Sequence, residues 1–432
     1  MKHWIYIGFI AALGVLWFVS SESDQEIPRA SGEFDHAVYV WQRAWDEELK
    51  NTVSERAASF ENVTVLGAEI NWRKEQGWSI KAVGEAINYA RENQDNDAGL
   101  AVRIGVGVAQ HRWDETSVSY ALEMIEPVVD GVDRVQIDYD CPTSKLADYA
   151  RFLEALRRRY PEKKIEFTAL PDWLYSDDFS RLLEHVDSYV MQVHGVSGHG
   201  AGWVLCDAEQ AKKIAEKCAE HYKPYLIALP TYRHVLHLDD EGAIKDVSSE
   251  GGRLSVGGRY EVVAANAAEL AALIRAWESD RPAMMRGVVW FRLPIPTDRM
   301  NWTWDTLSKV KQGIVPEGKL KIGFEHDASG LVKVVIENTS DQRMDWPKEL
   351  IVEWSKGFCI ANGVEGDYAI KTVDRKNSLE LKWRFNNKEA IHPGQKINVA
   401  WLRFDQPESV IKTITISSKN IVLDEKRPAE SQ

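Results

Sequence analysis

The chain has 432 residues, 44% hydrophobic and 28% charged, which excludes a disordered polypeptide and leaves room for about two or three domains. Its net charge of -13 argues against nucleic acid as a partner. Cys141, Cys206, Cys218 and Cys359 show no C-x-x-C spacing and read as buried thiols, with a Cys206–Cys218 bridge as the alternative.

At the amino end, Lys2 and His3 precede a hydrophobic run, 4–19, that is long for a signal core and short for a full membrane span. No cysteine follows the run, which speaks against a lipoprotein. Residues 1–25 are therefore expected to be a cleaved signal peptide or an uncleaved anchor. Either reading exports the chain: to the periplasm, to the inner membrane facing the periplasm, or outside the cell. A polar linker with Pro28 and Gly32 follows.

From Asp35 short apolar strands alternate with helix-patterned segments. The strands are expected at 36–41, 63–71, 101–108, 135–140, 165–170, 188–194, 224–230 and 287–293. Helices are expected at 43–60, 79–93, 117–129, 145–160, 179–185, 208–222 and 264–279. Eight strands in this rhythm predict an α/β fold, a (β/α)8 TIM barrel over 33–315. A doubly wound open sheet is the rival. It would carry a Gly-rich phosphate turn after its first strand, where this chain has Trp41-Gln42-Arg43-Ala44-Trp45.

After Pro316 the texture changes to period-two strands at 320–325, 331–337, 350–354, 379–383, 397–404 and 411–417. Turn signals such as Ala328-Ser329-Gly330 and Pro393-Gly394 fall between them. A small all-β sandwich is expected over 316–425, with a frayed tail.

The stretch 130–142, DGVDRVQIDYDCP, carries the strongest chemical signal. Strand alternation puts Gln136, Asp138 and Asp140 on one face and Val135, Ile137 and Tyr139 on the other. Active groups of such barrels sit at the carboxyl ends of the strands. The other ends offer Trp41; Glu69, Asn71 and Trp72; Arg103, with His111 and Trp113 on its loop; Asp172; Gln192 and His194; Tyr232 and Arg233; and Trp290 with Arg292. His194 and His199 alone make too small a set for zinc, so no metal and no cofactor is expected.

Acids and indoles at a barrel mouth suit glycosidic bond cleavage, which needs a proton donor and an anionic stabiliser of an oxocarbenium-like centre. The 17 tryptophans suit sugar stacking. Asp140 is the expected acid, with Asp138 raising its pKa by like-charge repulsion. Glu69 is the alternative acid or nucleophile, and Asp172 a third candidate. Gln192 and Asn71 are expected to bind hydroxyls and Trp290 to form the floor. Tyr232 and Arg233 would hold an anionic or N-acetylated sugar. The expected partner is a polysaccharide or oligosaccharide; the alternative is a non-catalytic glycan-binding or envelope scaffold protein.

The motif Asp133-Arg-Val-Gln136-Ile-Asp138-Tyr-Asp140-Cys-Pro142 resembles the fourth-strand motif of chitinase-type family 18 glycoside hydrolases. Asp133, Asp138 and Pro142 match; Gln136 replaces an Asp, and Asp140 stands where the family has its catalytic Glu. The run Val190-Met191-Gln192-Val193-His194 is similar to that family's Met-x-Tyr-Asp strand without its Tyr and Asp, and Trp290 resembles the tryptophan that floors its sugar site. Barrel and sandwich together also resemble an uncharacterised bacterial family known only as a domain of unknown function. The chitinase likeness implies carboxylate acid/base hydrolysis, and the export segment points it to an envelope or extracellular polysaccharide; the uncharacterised family implies no activity. The shorter Asp140 retracts its carboxyl by about 1.5 Å, and misplacement on that scale can cost about a hundredfold in rate.

Overall fold

In the computed structural model, strand alternation and helix capping build a barrel followed by a sandwich. The structure describes residues 26–105, 107–108, 113–198, 202–248, 259–326, 330–340, 342–384, 390–406, 411–416 and 421–423. The expected leader at 1–25, His111, His199 and the tail from 424 lie outside the described residues.

Among the described residues, eight parallel strands close into a ring. They are β1 Asp35–Val40, β2 Asn62–Arg73, β3 Gly99–Ile104, β4 Arg134–Asp138, β5 Lys164–Ala169, β6 Ser188–Gln192, β7 Tyr225–Pro230 and β8 Met285–Phe291. β8 pairs with β1, and β1 with β2, which completes the closure. The helices between and after them are α1 Glu47–Arg56, α2 Gly84–Glu92, α3 Glu115–Val129, α4 Leu146–Arg159, α5 Asp177–Leu183, α6 Ala208–Ala219, α7 Ala267–Ser279 and α8 Trp304–Lys311. Side chains of Asp46, Asp114, Asp207 and Asn266 accept from first-turn amides of α1, α3, α6 and α7, satisfying donors that a helix start leaves open.

Strand parity divides the core in two. Val135, Ile137 and Tyr139 point outward and pack with the helices, in one continuous apolar layer. Ala37, Tyr39, Trp41, Leu66, Ala101, Val190, Ala228 and Val289 fill the barrel interior. At the amino end of the strands the interior is polar. Arg134 Nη1 donates to Glu166 Oε2 at 3.0 Å, and its Nη2 donates to Thr64 Oγ1 and Asn62 Oδ1, each at 3.0 Å. Glu166 also accepts from Ser188 Oγ (2.8 Å) and Gln136 Nε2 (3.2 Å), and the Tyr39 hydroxyl donates to Gln136 Oε1 at 2.6 Å.

Several local elements depart from the sequence reading. The segment 79–93, expected as one helix, opens with a strand, Gly77–Ala82, antiparallel to the outer part of β2. β2 therefore runs past the rim as a two-stranded arm. An antiparallel excursion of Arg233–Leu238, Ile244–Ser248 and Arg259–Ala264 intervenes between β7 and α7.

The carboxyl-terminal strands are β9 Leu320–His326, β10 Leu331–Asn338, β11 Glu349–Trp354, β12 Cys359–Val364, β13 Tyr368–Asp374, β14 Ser378–Trp383, β15 Lys396–Phe404, β16 Ile411–Ile416 and β17 Ile421–Leu423. They form two sheets, ordered β12-β15-β10-β9-β17 and β13-β14-β11-β16. Side chains of both sheets share one apolar core, separate from the barrel's. β12, β13 and β17 were not foreseen; the faces of β12 and β13 lack clean alternation. All four cysteines are free and buried, so Cys206 and Cys218 do not bridge.

Candidate active site at the carboxyl ends of the barrel strands

Three charged side chains sit level on adjacent strands, because the register aligns Glu69 of β2 with Arg103 of β3 and Arg103 with Asp138 of β4. Asp138 is buried. Its Oδ1 accepts from Thr168 Oγ1 at 2.7 Å, and its Oδ2 lies 3.7 Å from Arg103 Nε. Burial, then the nearby Asp140 charge, pushes the Asp138 carboxyl up to about 6 against the pull of Thr168 and Arg103. The sequence reading gave the raised acid to Asp140. The buried member of the pair is Asp138, and desolvation acts there.

Asp140 lies just past the end of β4, half-buried, and accepts from Gln192 Nε2 at 3.1 Å. The structure thus brings together Asp138, Asp140, Gln192 and, through Arg103, Glu69. Arg43 grips Glu69 with two hydrogen bonds of 2.7 Å, and these hold the carboxyl below its ordinary range. An ionised Glu69 is a poor proton donor but a ready anionic neighbour.

The aromatic floor differs from the expected one. Trp290 is fully buried on the outer face of β8, stacked on His36, with its Nε1 donating to His36 Nδ1 at 3.1 Å. It lies in the layer between barrel and helices and cannot floor a sugar site. The inward residue is its neighbour Phe291, 5.4 Å from Trp41, 5.5 Å from His194 and 5.7 Å from Tyr232 between ring centroids. His194 Nδ1 lies 3.2 Å from the Tyr232 hydroxyl, and burial pushes its imidazole down to about 4, so it is neutral at physiological pH.

Arg233 and Arg292 leave the constellation. Arg233 opens the excursion after β7 and pairs with Asp345 of the sandwich at 2.7 Å. Arg292 pairs with Asp298 at 2.6 Å. Asp172 is exposed on the short turn Pro171–Tyr175 and makes no hydrogen bond or ion pair among the described residues. Asn71 and Trp72 lie on the arm, with Trp72 opposite Trp78. The Asn71 amide packs against Gly105, just past β3, so closely that a Cβ there would stand 2.1 Å from its Oδ1 and the amide would have to move. Arg43, Thr168 and Phe291 were missed as site residues. The inward parity set by Asp138 could have found Thr168, which lies on the adjacent strand. Among the described residues no group of three or more His, Cys, Asp or Glu is placed to hold a metal ion.

No curated protein matches the sequence. Solved structures of similar outline include the spore cortex-lytic enzyme SleL of Bacillus cereus, 14% identical, covering 65% of this chain and 75% of that one, with a TM-score of 0.46. A chitinase from Chromobacterium violaceum is 13% identical, with coverages of 65% and 99% and a TM-score of 0.46. Chitinase ChiA74 from Bacillus thuringiensis is 9% identical, with coverages of 88% and 100% and a TM-score of 0.45. Residues 123–296, which carry β4, Asp138 and the following Asp140 and run through β8, match the family model described as a domain of unknown function (DUF3142), in keeping with the resemblance to an uncharacterised family.

Proposed function

We propose that this chain is a glycoside hydrolase that cleaves a polysaccharide with the Asp138–Asp140 pair. The observation that supports it most is the placement of a buried, proton-retaining Asp138 beside the half-exposed Asp140 at the carboxyl end of the barrel. Below about pH 6 the buried Asp138 keeps its proton. Asp140, the more accessible member, hands that proton to the leaving oxygen, while Asp138 remains inside. Glu69, kept ionised by Arg43, supplies negative charge for the oxocarbenium-like centre. The half-exposed Phe291 offers apolar surface to a sugar ring, backed by the buried Trp41 and Tyr232.

The test is hydrolysis on a panel of bacterial envelope and extracellular glycans, with Asp140→Asn and Asp138→Asn alongside. Turnover that disappears in Asp140→Asn and, in the unmodified protein, declines above about pH 6 is the expected result. Full activity in Asp140→Asn would remove the pair from the chemistry. We place the protein outside the cytoplasm on the strength of the hydrophobic run at 4–19, and cell fractionation tests that placement.

A second reading, glycan binding without cleavage, has one observation in its favour. The Gln192 amide already occupies an oxygen of Asp140, a side chain one methylene shorter than the Glu the resemblance would put there. Calorimetry showing oligosaccharide binding with no turnover would select it.

A further inference from the structure

Where the barrel meets the sandwich, the chain lines a half-open cavity of about 550 Å3, within the size range of small-molecule sites. Its apolar wall is formed by Trp302 and Trp346 together with Met344 and Leu320. Its polar wall is unusually cationic for a protein with net charge -13: Arg233, Arg343 and Lys348 line it, against one carboxylate, Asp345. That carboxylate is engaged, with Oδ1 2.7 Å from Arg233 Nη1. Asn266, the cap of α7, also lines the cavity, which places the positive end of a 13-residue helix at its edge.

Arg343 is the outlier. Its Nη1 donates to the backbone carbonyls of Asp298 and, at 2.6 Å, Asn301, and its Nη2 reaches the Pro296 carbonyl at 3.4 Å. Its Nε is shut off from solvent with no acceptor. Among the described residues no carboxylate pairs with it, and none pairs with Lys348. Burial and then the charge of Arg233 push the Arg343 guanidinium down to about 10. His392 is likewise held below its ordinary value, by burial first and then by Arg343, Arg299 and Arg233. The Asp298 charge pulls the other way, but that carboxylate is already paired with Arg292 at 2.6 Å; a desolvated cation compensated only in part is costly, and an anion in the cavity would relieve it.

We propose that this junction cavity is a second carbohydrate-binding site, selective for an acidic sugar whose carboxylate faces Arg343 and Lys348 while its ring packs on the Trp302 and Trp346 wall. A guanidinium and an ammonium recognise the carboxylate, and an indole wall recognises the C–H faces of the ring. A neutral sugar leaves the cations uncompensated; a bare inorganic anion leaves the apolar wall uncovered. The site is separate from the barrel mouth and stands whether or not the mouth hydrolyses anything.

The experiment is calorimetric titration of the full chain with D-glucuronate, D-glucose and inorganic phosphate. Glucuronate is expected to bind at least about tenfold more tightly than either of the others, and more weakly as salt rises. Lys348→Gln, at an exposed position, is expected to lower that affinity several-fold, and Arg343→Gln to abolish it. Should Arg343→Gln fail to fold, Lys348→Gln and Trp346→Ala carry the test. Glucose binding as tightly as glucuronate overturns the proposal, as does phosphate matching glucuronate or an isotherm unchanged in the variants. Absence of glucuronate binding overturns it too.

Discussion

The two ends of the barrel interior use the same kinds of residue to opposite effect. At the amino end, Arg134 and Glu166 are 3.0 Å apart, and Thr64, Asn62, Ser188 and Gln136 take up hydrogen-bonding capacity that the pair leaves. Charge there is buried and closed upon itself. At the carboxyl end Asp138 is buried as well, but its cation Arg103 stands 3.7 Å off with its side chain 37% exposed, and a second acid, Asp140, crowds it. The first arrangement fixes the barrel; the second leaves a proton with an incomplete claim on it. In barrels of this kind the amino face serves stability and the carboxyl face serves chemistry.

The contrast breaks most visibly at Arg134. Arg134→Met strands the Glu166 charge and is expected to cost about 3–5 kcal/mol in denaturant unfolding. A loss below about 1 kcal/mol would mean that the lower network is not closed in the sense described. Trp290→Ala should cost a comparable 3–5 kcal/mol, as a buried indole lost from a packed layer, with glycan affinity unchanged in calorimetry. A selective loss of affinity at full stability would return Trp290 to the site.

Asp138→Asn should act in the opposite direction from the Arg134 change and stabilise the protein. The folded pKa is raised to about 6 from 3.8, so the folded state binds the extra proton between those values and loses stability as pH rises through them. The asparagine is therefore expected to gain up to about 3 kcal/mol above pH 6, and the gain should vanish below about pH 4. Melting temperatures at pH 8 and pH 4 decide it; equal shifts at both would refute the buried-proton account. Phe291→Ala is the smallest expected effect on stability, its ring being half-exposed, yet it should weaken oligosaccharide binding about five- to tenfold.

How far the site could be read beforehand depended on contrast between the two faces of a strand. β4 carries acids and an amide on one face and Val, Ile and Tyr on the other, so its inward face was plain from sequence. β8 is apolar on both, with Val289 and Phe291 inward and Val288 and Trp290 outward, so alternation gave a period without a direction. The larger aromatic was assigned to the mouth, and it belongs to the helix layer. Arg233 was misplaced for another reason. Strands Arg233–Leu238 and Arg259–Ala264 pair with each other rather than with the barrel, and the resulting contact with Asp345 joins residues 112 apart in the chain. The ring itself was legible because eight apolar runs at regular spacing need no long-range information to be recognised.

One early feature bears on orientation. Arg29–Ala30 form a short ladder with Arg281–Pro282, just ahead of β8, and Arg29 clamps both Glu216 and Asp280. The polypeptide thus enters the molecule at the pole opposite its acids, and that entry point is pinned. The point where the chain joins the barrel and the rim that carries Asp138 and Asp140 are thus held at opposite poles, one stapled by ion pairs and the other left open to change.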